Sequence, residues 1–191
     1  MSLEVVTGCM FSGKTEELVR RLRRCQIAGK SVRAFKPDID TRYHQTALAS
    51  HLGGTFEATP VADVEQMKSL LPLLRGPSFP QVVGFDEAQF MASGILAYLE
   101  TLANFGVRVI VAGLDTDSSG KPFGPMPQLM AVADKVTKLS AICVAETQVG
   151  ICGKDATRSY RIPSQDGGTQ VQVGAADSYE ARCRSCWARG Q

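Results

Sequence analysis

The sequence predicts an α/β protein: a mostly parallel sheet with flanking helices, followed by a small cysteine-bearing β lobe. Three observations carry this. The string Gly8-Cys9-Met10-Phe11-Ser12-Gly13-Lys14-Thr15 lies between an apolar run, Leu3 to Val6, and a helical pattern beginning near Glu16. That is the strand–loop–helix setting of the G-x-x-x-x-G-K-[ST] P-loop motif. Short β-rich runs then alternate with helical patterns as far as about residue 140, the signature of an open α/β sheet. Beyond that point cysteines and glycines rise, helical periodicity vanishes, and short β patterns such as Val171-Gln172-Val173 take over. The division expected is therefore residues 1–140 and residues 141–191.

Taken in order, Leu3–Thr7 reads as a short central strand. Leu18, Val19, Leu22 and Ile27 recur at helical spacing from Lys14 to Ala28, and Gly29 stops the run. The Arg20-Arg21-Arg23-Arg24 cluster on this helix reads as a solvated face. Ser31–Phe35 is a second strand, ended by Lys36-Pro37. Asp38–Phe56 carries both histidines, His44 and His51, and has no strong period, so a long loop is expected there. A helix over Ala62–Leu74 is followed by an apolar strand, Gln81–Phe85. A helix over Ser93–Phe105, a strand over Val107–Ala112 and a Gly/Pro/Ser-rich loop over Ser118–Pro127 come next. Met130–Leu139 supplies a short helix and a strand.

Hydrophobic residues make up 44% of the 191 and charged residues 21%, the balance of a soluble globular chain rather than a disordered one. A net charge of +2 gives no electrostatic drive toward nucleic acid or membrane. No apolar run of about 18 residues and no signal-peptide pattern occur, and the phosphate loop begins at residue 8. A cytoplasmic protein is the expectation. In a reducing compartment, six cysteines point to metal ligands or buried thiols before disulfides.

The chemistry of the Gly8–Thr15 string follows from its backbone. A glycine-framed loop at a helix N-terminus turns its N–H groups inward, and with the helix dipole they favour a bound polyphosphate. Lys14 would reach the β/γ-phosphates, and Thr15 would offer its hydroxyl to Mg²⁺. Asp86 follows Val82-Val83-Gly84-Phe85, at the carboxyl end of a buried strand, where such a site needs an acid near the metal. The adjacent Glu87 is placed to act as general base on an acceptor hydroxyl or on water: a kinase in the first case, an ATPase in the second. A guanine-reading Asn-Lys-x-Asp string is excluded, because Asn104 is the sole asparagine.

Cys183-Arg184-Ser185-Cys186 has the C-x2-C spacing of half a tetrahedral Zn²⁺ site. Upstream lie Cys143 and Cys152, eight residues apart. The alternative to zinc is a set of buried thiols, with Cys183 and Cys186 as a redox pair. Cys9 and Cys25 read as small packing residues. Zinc ribbons also bind nucleic acid, and the lobe's arginines keep that reading open, yet only Tyr160, Tyr179 and Trp187 offer stacking surfaces.

In this order the strings resemble those of the type II (cytosolic) thymidine kinases over nearly the whole chain. They are Gly8–Thr15, Lys36-Pro37-x-x-Asp40-Thr41-Arg42-Tyr43, Ser50-His51-x-Gly53, Asp86-Glu87-Ala88-Gln89-Phe90, Gly113-Leu114-Asp115 and Lys121-Pro122-Phe123. Lys138-Leu139-Ser140-Ala141-Ile142-Cys143, Cys152-Gly153-x-x-Ala156-Thr157-Arg158 and Tyr179–Cys186 continue the series. The resemblance implies a RecA-like P-loop ATP-binding domain over 1–140, with a zinc-ribbon-like lobe over 141–191 whose lasso loop covers the nucleoside. It implies transfer of the γ-phosphoryl of ATP to the 5′-hydroxyl of thymidine. The P-loop residues Gly8, Met10, Phe11, Ser12, Gly13, Lys14 and Thr15 would hold ATP and Mg²⁺, with Asp40 and Asp86 assisting the metal. Glu87 would be the base, and Arg42 would stabilise the transferring phosphoryl group. Met10, Phe90, Leu114, Phe123 and Tyr179 would line the thymidine pocket. The backbone of Gln170, Val171, Gln172, Val173 and Gly174 would read the thymine edge, with Thr157 nearby. A homotetramer, feedback by dTTP and one structural Zn²⁺ per chain are also implied, with no nucleic-acid partner.

Two departures from the family's pattern stand out. Its first knuckle is usually C-x2-C, whereas here Cys143 is followed at plus three by Glu146, and an insertion of about six residues separates it from Cys152. The ligands expected are Cys143, Cys152, Cys183 and Cys186, with Glu146 the alternative to Cys152. The second departure is Ser118, where the family commonly has phenylalanine near the base, which leaves stringency for thymidine over other deoxynucleosides open.

Overall fold

A computed structural model describes residues 2–39, 47–49, 55–71, 76, 79–163 and 178–190. The chain begins with β1 (Ser2–Gly8), α1 (Lys14–Ile27), β2 (Val32–Pro37), β3 (Ala47–Ala49), β4 (Thr55–Glu57), β5 (Thr59–Val61) and α2 (Val64–Leu70). It continues through β6 (Val82–Phe85), a 3₁₀ turn (Ala88–Phe90), α3 (Gly94–Asn104), β7 (Arg108–Gly113), α4 (Met126–Val132) and β8 (Lys135–Leu139). Among the described residues, six strands form one sheet in the order β5-β2-β6-β7-β1-β8, and each neighbouring pair is parallel.

The central strands are continuous apolar runs because both sheet faces are covered. Side chains alternate between faces. On one face Val5, Val83, Phe85, Val109 and Val111 pack with Met67 of α2, Ile95 and Leu99 of α3, and Leu129 of α4. On the other, Val6, Val82, Ile110 and Ala112 pack with Leu18, Val19, Leu22 and Cys25 of α1. Gly84 lets α1 approach β6 closely: a Cβ there would stand 2.6 Å from a methyl carbon of Leu22.

Helix ends follow local chemistry. α1 starts directly after Gly13, carries Glu16 and Glu17 in its first turn where the dipole favours acids, and is stopped by Gly29 at φ 72°. At α2 the Asp63 carboxylate accepts from Gln66 N at 2.7 Å, while the Gln66 side chain accepts from Ala62 N at 2.6 Å. This is a near-relative of the capping box.

Five elements differ from expectation. Within the segment read as a long loop, β3 and β4 form an antiparallel hairpin whose Leu48 and Phe56 are buried in the α1 face. β5 adds a parallel edge strand beside β2, and its Pro60 is tolerated because an edge strand leaves one side unpaired. α4 begins at Met126 rather than Met130, since proline fits a helix's first turn. A short helix, α5 (Arg184–Ala188), stands in the lobe, where none was expected.

Among the described residues, the rest of the lobe comprises three two-stranded antiparallel pairs. β9 (Ala141–Ile142) pairs with β12 (Asp155–Ala156), β10 (Glu146–Thr147) with β11 (Gly150–Ile151), and β13 (Arg158–Arg161) with β14 (Tyr179–Arg182). Its core is built from alanines and cysteines and includes Cys9 of the phosphate loop. Among the described residues, no helix is long and apolar enough to cross a membrane.

Candidate active site

The Gly8–Thr15 loop leaves β1 at the carboxyl edge of the sheet and enters α1. Gly8 has φ 145°, and a Cβ on it would overlap the Leu139 carbonyl of β8, so only glycine lets the two strand ends approach. Gly13 at φ 80° makes the turn into the helix. Inside the loop, the Ser12 hydroxyl and the Lys14 ammonium both donate to the Cys9 carbonyl, each at 2.8 Å. Burial pushes the Lys14 ammonium pKa down, and the carboxylates of Glu87 and Asp86 oppose that shift. The loop is also tied to the lobe: Met10 N donates to the Ser159 hydroxyl at 3.0 Å, and the Cys9 thiol to the Ala156 carbonyl at 3.2 Å.

β6 carries the acidic pair. One strand, β7, lies between it and β1, yet the start of α1 closes the gap. The Thr15 hydroxyl donates to Asp86 Oδ2 at 2.8 Å, and Asp86 Oδ1 accepts from Glu87 N at 3.0 Å. Burial, followed by the neighbouring Glu87 charge, pushes the Asp86 pKa up, while the Thr15 bond works against that shift. A hydroxyl and a carboxylate held together beside a phosphate loop are the hard oxygen donors that Mg²⁺ takes.

Glu87 sits in the left-handed region, at φ 52° and ψ 38°, a conformation rare for a residue with a Cβ and concentrated at functional sites. Its carboxylate accepts a hydrogen bond from the Gln89 side-chain amide, whose oxygen in turn accepts from Leu114 N at 3.0 Å. A chain of contacts thus runs from the P-loop helix through Thr15, Asp86, Glu87 and Gln89 to the end of β7.

Of the residues expected to line the nucleoside pocket, Phe90 and Phe123 meet edge to face with ring centroids 5.6 Å apart. Leu114 is held through its backbone N–H by the Gln89 side chain, and Met10 through its backbone N–H by the Ser159 hydroxyl. Thr157 lies between β12 and β13, bonded through its N–H to the Arg182 carbonyl at 3.2 Å, and Tyr179 opens β14 opposite Arg161. Asp40, Arg42 and the lasso residues Gln170, Val171, Gln172, Val173 and Gly174 lie outside the described residues.

In the lobe, the sulfurs of Cys143, Cys152, Cys183 and Cys186 all lie within 4.8 Å of one another, and those of Cys152 and Cys183 are 4.0 Å apart. Zn–S bonds of about 2.3 Å make tetrahedron edges of about 3.8 Å, so four thiolates at these spacings suit Zn²⁺. A hydrogen bond with the Ser185 hydroxyl holds the Cys183 thiol below its usual pKa, toward the thiolate that ligates metal. Glu146 stands on β10, outside that cluster. The wide spacing also has a structural cause. β10 and β11 form a hairpin whose ends return to one point: Cys152 N donates to the Ala145 carbonyl and Gly153 N to the Cys143 carbonyl, each at 3.0 Å.

Sequence reasoning gives no role to Ser159, names Gln89 without a contact of its own, and offers Trp187 only as a stacking surface. Gln89 lay inside the Asp86–Phe90 string and was the accessible signal; Ser159 and Trp187 meet their partners only through tertiary folding.

Comparison with known proteins gives the family. The family model described as thymidine kinase matches residues 1–187. A thymidine kinase of Bdellovibrio bacteriovorus is 50% identical over 182 residues, covering 95% of this chain and 83% of its own length. One of Rhodothermus sp. is 50% identical over 185 residues, covering 97% and 80%. One of Coprothermobacter proteolyticus is 49% identical over 185 residues, covering 95% and 87%. With the family model matched over residues 1–187 and relatives about 50% identical along almost its whole length, the chain belongs to the thymidine kinase family.

Proposed function

We propose that this thymidine kinase moves the γ-phosphoryl group of ATP to the 5′-hydroxyl of thymidine with Glu87 as general base. The observation that supports the reading is the continuous link Thr15–Asp86–Glu87–Gln89, in which two consecutive carboxylates are held beside the phosphate loop. In this reading Lys14 leaves the Cys9 carbonyl for the β/γ-phosphates, and the N–H groups of the Gly8–Thr15 loop bind the remaining phosphate oxygens. Thr15 and Asp86, with Asp40, would hold Mg²⁺, which when bound neutralises charge developing on the phosphates. Glu87 takes the proton of the 5′-hydroxyl as the new P–O bond forms, and the Gln89 amide fixes the carboxylate's direction. Arg42 donates to the transferring phosphoryl oxygens.

Met10, Phe90, Leu114, Phe123 and Tyr179 enclose the thymidine, and Thr157 with the Gln170–Gly174 backbone reads the base. A site that hydrogen-bonds a base edge rejects bases with the wrong donors, because its buried groups are then left unpaired. The four cysteines hold a structural Zn²⁺ that keeps the alanine-rich lobe folded. Residues 1–140 act as the ATP-binding domain and 141–191 as the lobe. The resemblance adds a cytoplasmic homotetramer inhibited by dTTP in the substrate pocket.

The test is turnover of Mg-ATP with thymidine, deoxyuridine, deoxycytidine or no acceptor. Thymidine should be phosphorylated in preference to the other two. Equal ATP hydrolysis in every arm would replace the kinase with an ATPase.

A further inference from the structure

The hairpin between β7 and α4 carries two of the proposed pocket residues, Leu114 at its start and Phe123 at its end. Its own bonds make it a compact unit. Thr116 bridges Pro122, Asp117 N donates to the Lys121 carbonyl at 2.9 Å, and the Asp117 carboxylate accepts from Ser119 and from Lys121 N at 2.8 and 2.9 Å. The base of the hairpin rests on the acidic turn: Leu114 N is bonded to Gln89, and Phe123 packs on Phe90. Gly124, at φ 52°, lies against the Gln89 backbone, where a Cβ would overlap its carbonyl.

The tip of the hairpin rests on the lobe. The Trp187 indole N–H donates to the Ser118 carbonyl at 3.1 Å. The same ring covers Gly120, where a Cβ would stand 3.0 Å from it. Trp187 is itself fixed: it follows the cysteine Cys186, its N–H donates to the Cys183 carbonyl at 2.9 Å, and Gly190 just beyond accepts from the Tyr160 hydroxyl at 3.0 Å. A unit held at both ends has one set position.

We propose that Trp187 is a positioning residue for thymidine: by holding the hairpin tip at Ser118 and Gly120, it sets the distance of Leu114 and Phe123 from Phe90. At Ser118, where an aromatic side chain is expected from the resemblance, the pocket wall is braced instead by a tryptophan donated from the lobe to the backbone. The proposal rests on the reading of Leu114 and Phe123 as pocket residues.

The test uses the full-length, zinc-loaded enzyme, with thymidine and Mg-ATP varied independently. Trp187→Ala should raise the KM for thymidine about tenfold or more, with kcat and the KM for ATP within about threefold of wild type. Trp187→Phe keeps an aromatic ring but loses the N–H and part of the outer ring that covers Gly120, and should give a smaller rise than Trp187→Ala. Zinc content should be unchanged, and any fall in Tm should leave the enzyme folded at the assay temperature. If Trp187→Ala does not fold, Gly120→Ala disturbs the same contact from the hairpin side and should give the same selective rise. A thymidine KM at the wild-type value in these variants overturns the proposal. So does a uniform loss of kcat and both affinities accompanied by lost zinc. Phe123→Ala separates the two levels: if it leaves thymidine KM unchanged, the pocket reading fails and takes the proposal with it. If it raises KM while Trp187→Ala does not, the positioning role alone is wrong.

Discussion

At the scale of single residues, the candidate site centres on two consecutive carboxylates given different surroundings. Asp86 is buried and bonded to Thr15, whereas Glu87 is turned by a left-handed backbone toward the Gln89 amide. Replacing Gln89 with leucine removes the amide that aims Glu87 and leaves Leu114 N without its acceptor. We predict a fall in kcat of about 10–10²-fold with ATP binding retained, measured by steady-state kinetics alongside nucleotide calorimetry. Both acids and the phosphate loop were legible in the sequence, because each is a contiguous string whose chemistry depends on neighbours in the chain. The role of Gln89 was not, since its second partner, Leu114, is 25 residues away.

At the scale of elements, the insertion between Cys143 and Cys152 is a removable hairpin. Deleting residues 146–151 joins Cys143-Val144-Ala145 to Cys152, the C-x2-C spacing usual in the family, at a point where Cys152 N and the Ala145 carbonyl are already bonded. The deletion variant should keep one zinc per chain by elemental analysis, whereas Cys152→Ser should lose it. Loss of zinc from the deletion would instead make Glu146, or the hairpin itself, part of the site. A second element-scale feature is the cluster that fastens α1 to the sheet. Glu4 of β1 accepts from Arg21 of α1 at 2.9 Å and from Arg108 of β7 at 2.7 Å, and Glu17 accepts from Arg21 at 2.8 Å. The Arg20 hydrogen bond, with Arg21, outweighs desolvation and holds the Glu17 carboxyl down to about 2. Glu4 is lowered as well, because Arg108 and Arg21 together outweigh a large opposing effect of burial. Folded pKa values below the unfolded ones mean that this stability is present above about pH 4.5 and is lost as pH falls toward about 2. Denaturant midpoints should therefore drop across that window, and Glu17→Gln should flatten the drop while lowering the midpoint at neutral pH. These pairings were hidden in the sequence, where the arginine cluster reads as a solvated face; Arg21 turns inward because β1 supplies a buried carboxylate.

At the scale of the whole molecule, the sheet was legible wherever long apolar runs alternate with amphipathic helices. The three-residue strands β3, β4 and β5 were not, because so short a run has no period and its stability comes from packing on α1 or pairing with β2. The lobe's core is built from alanines and cysteines rather than large apolar side chains, and among the described residues it meets the candidate site through Ser159 and Ala156 on the phosphate loop and through Trp187 on the β7–α4 hairpin. Removing zinc with a chelator should therefore disturb both contacts. As Trp187 is the chain's sole tryptophan, its emission should shift to longer wavelength as zinc leaves and return when zinc is restored. An unchanged spectrum would separate the metal from the α5 contact.

The central claim, phosphoryl transfer from ATP to thymidine with Glu87 as base, is tested most directly by following dTMP and ADP together in wild type and Glu87→Gln. Wild type should form the two in equal amounts. The variant should turn over about 10²–10⁴-fold more slowly with an unchanged dissociation constant for thymidine. ADP released without dTMP, or a Glu87→Gln enzyme at the wild-type rate, would contradict it.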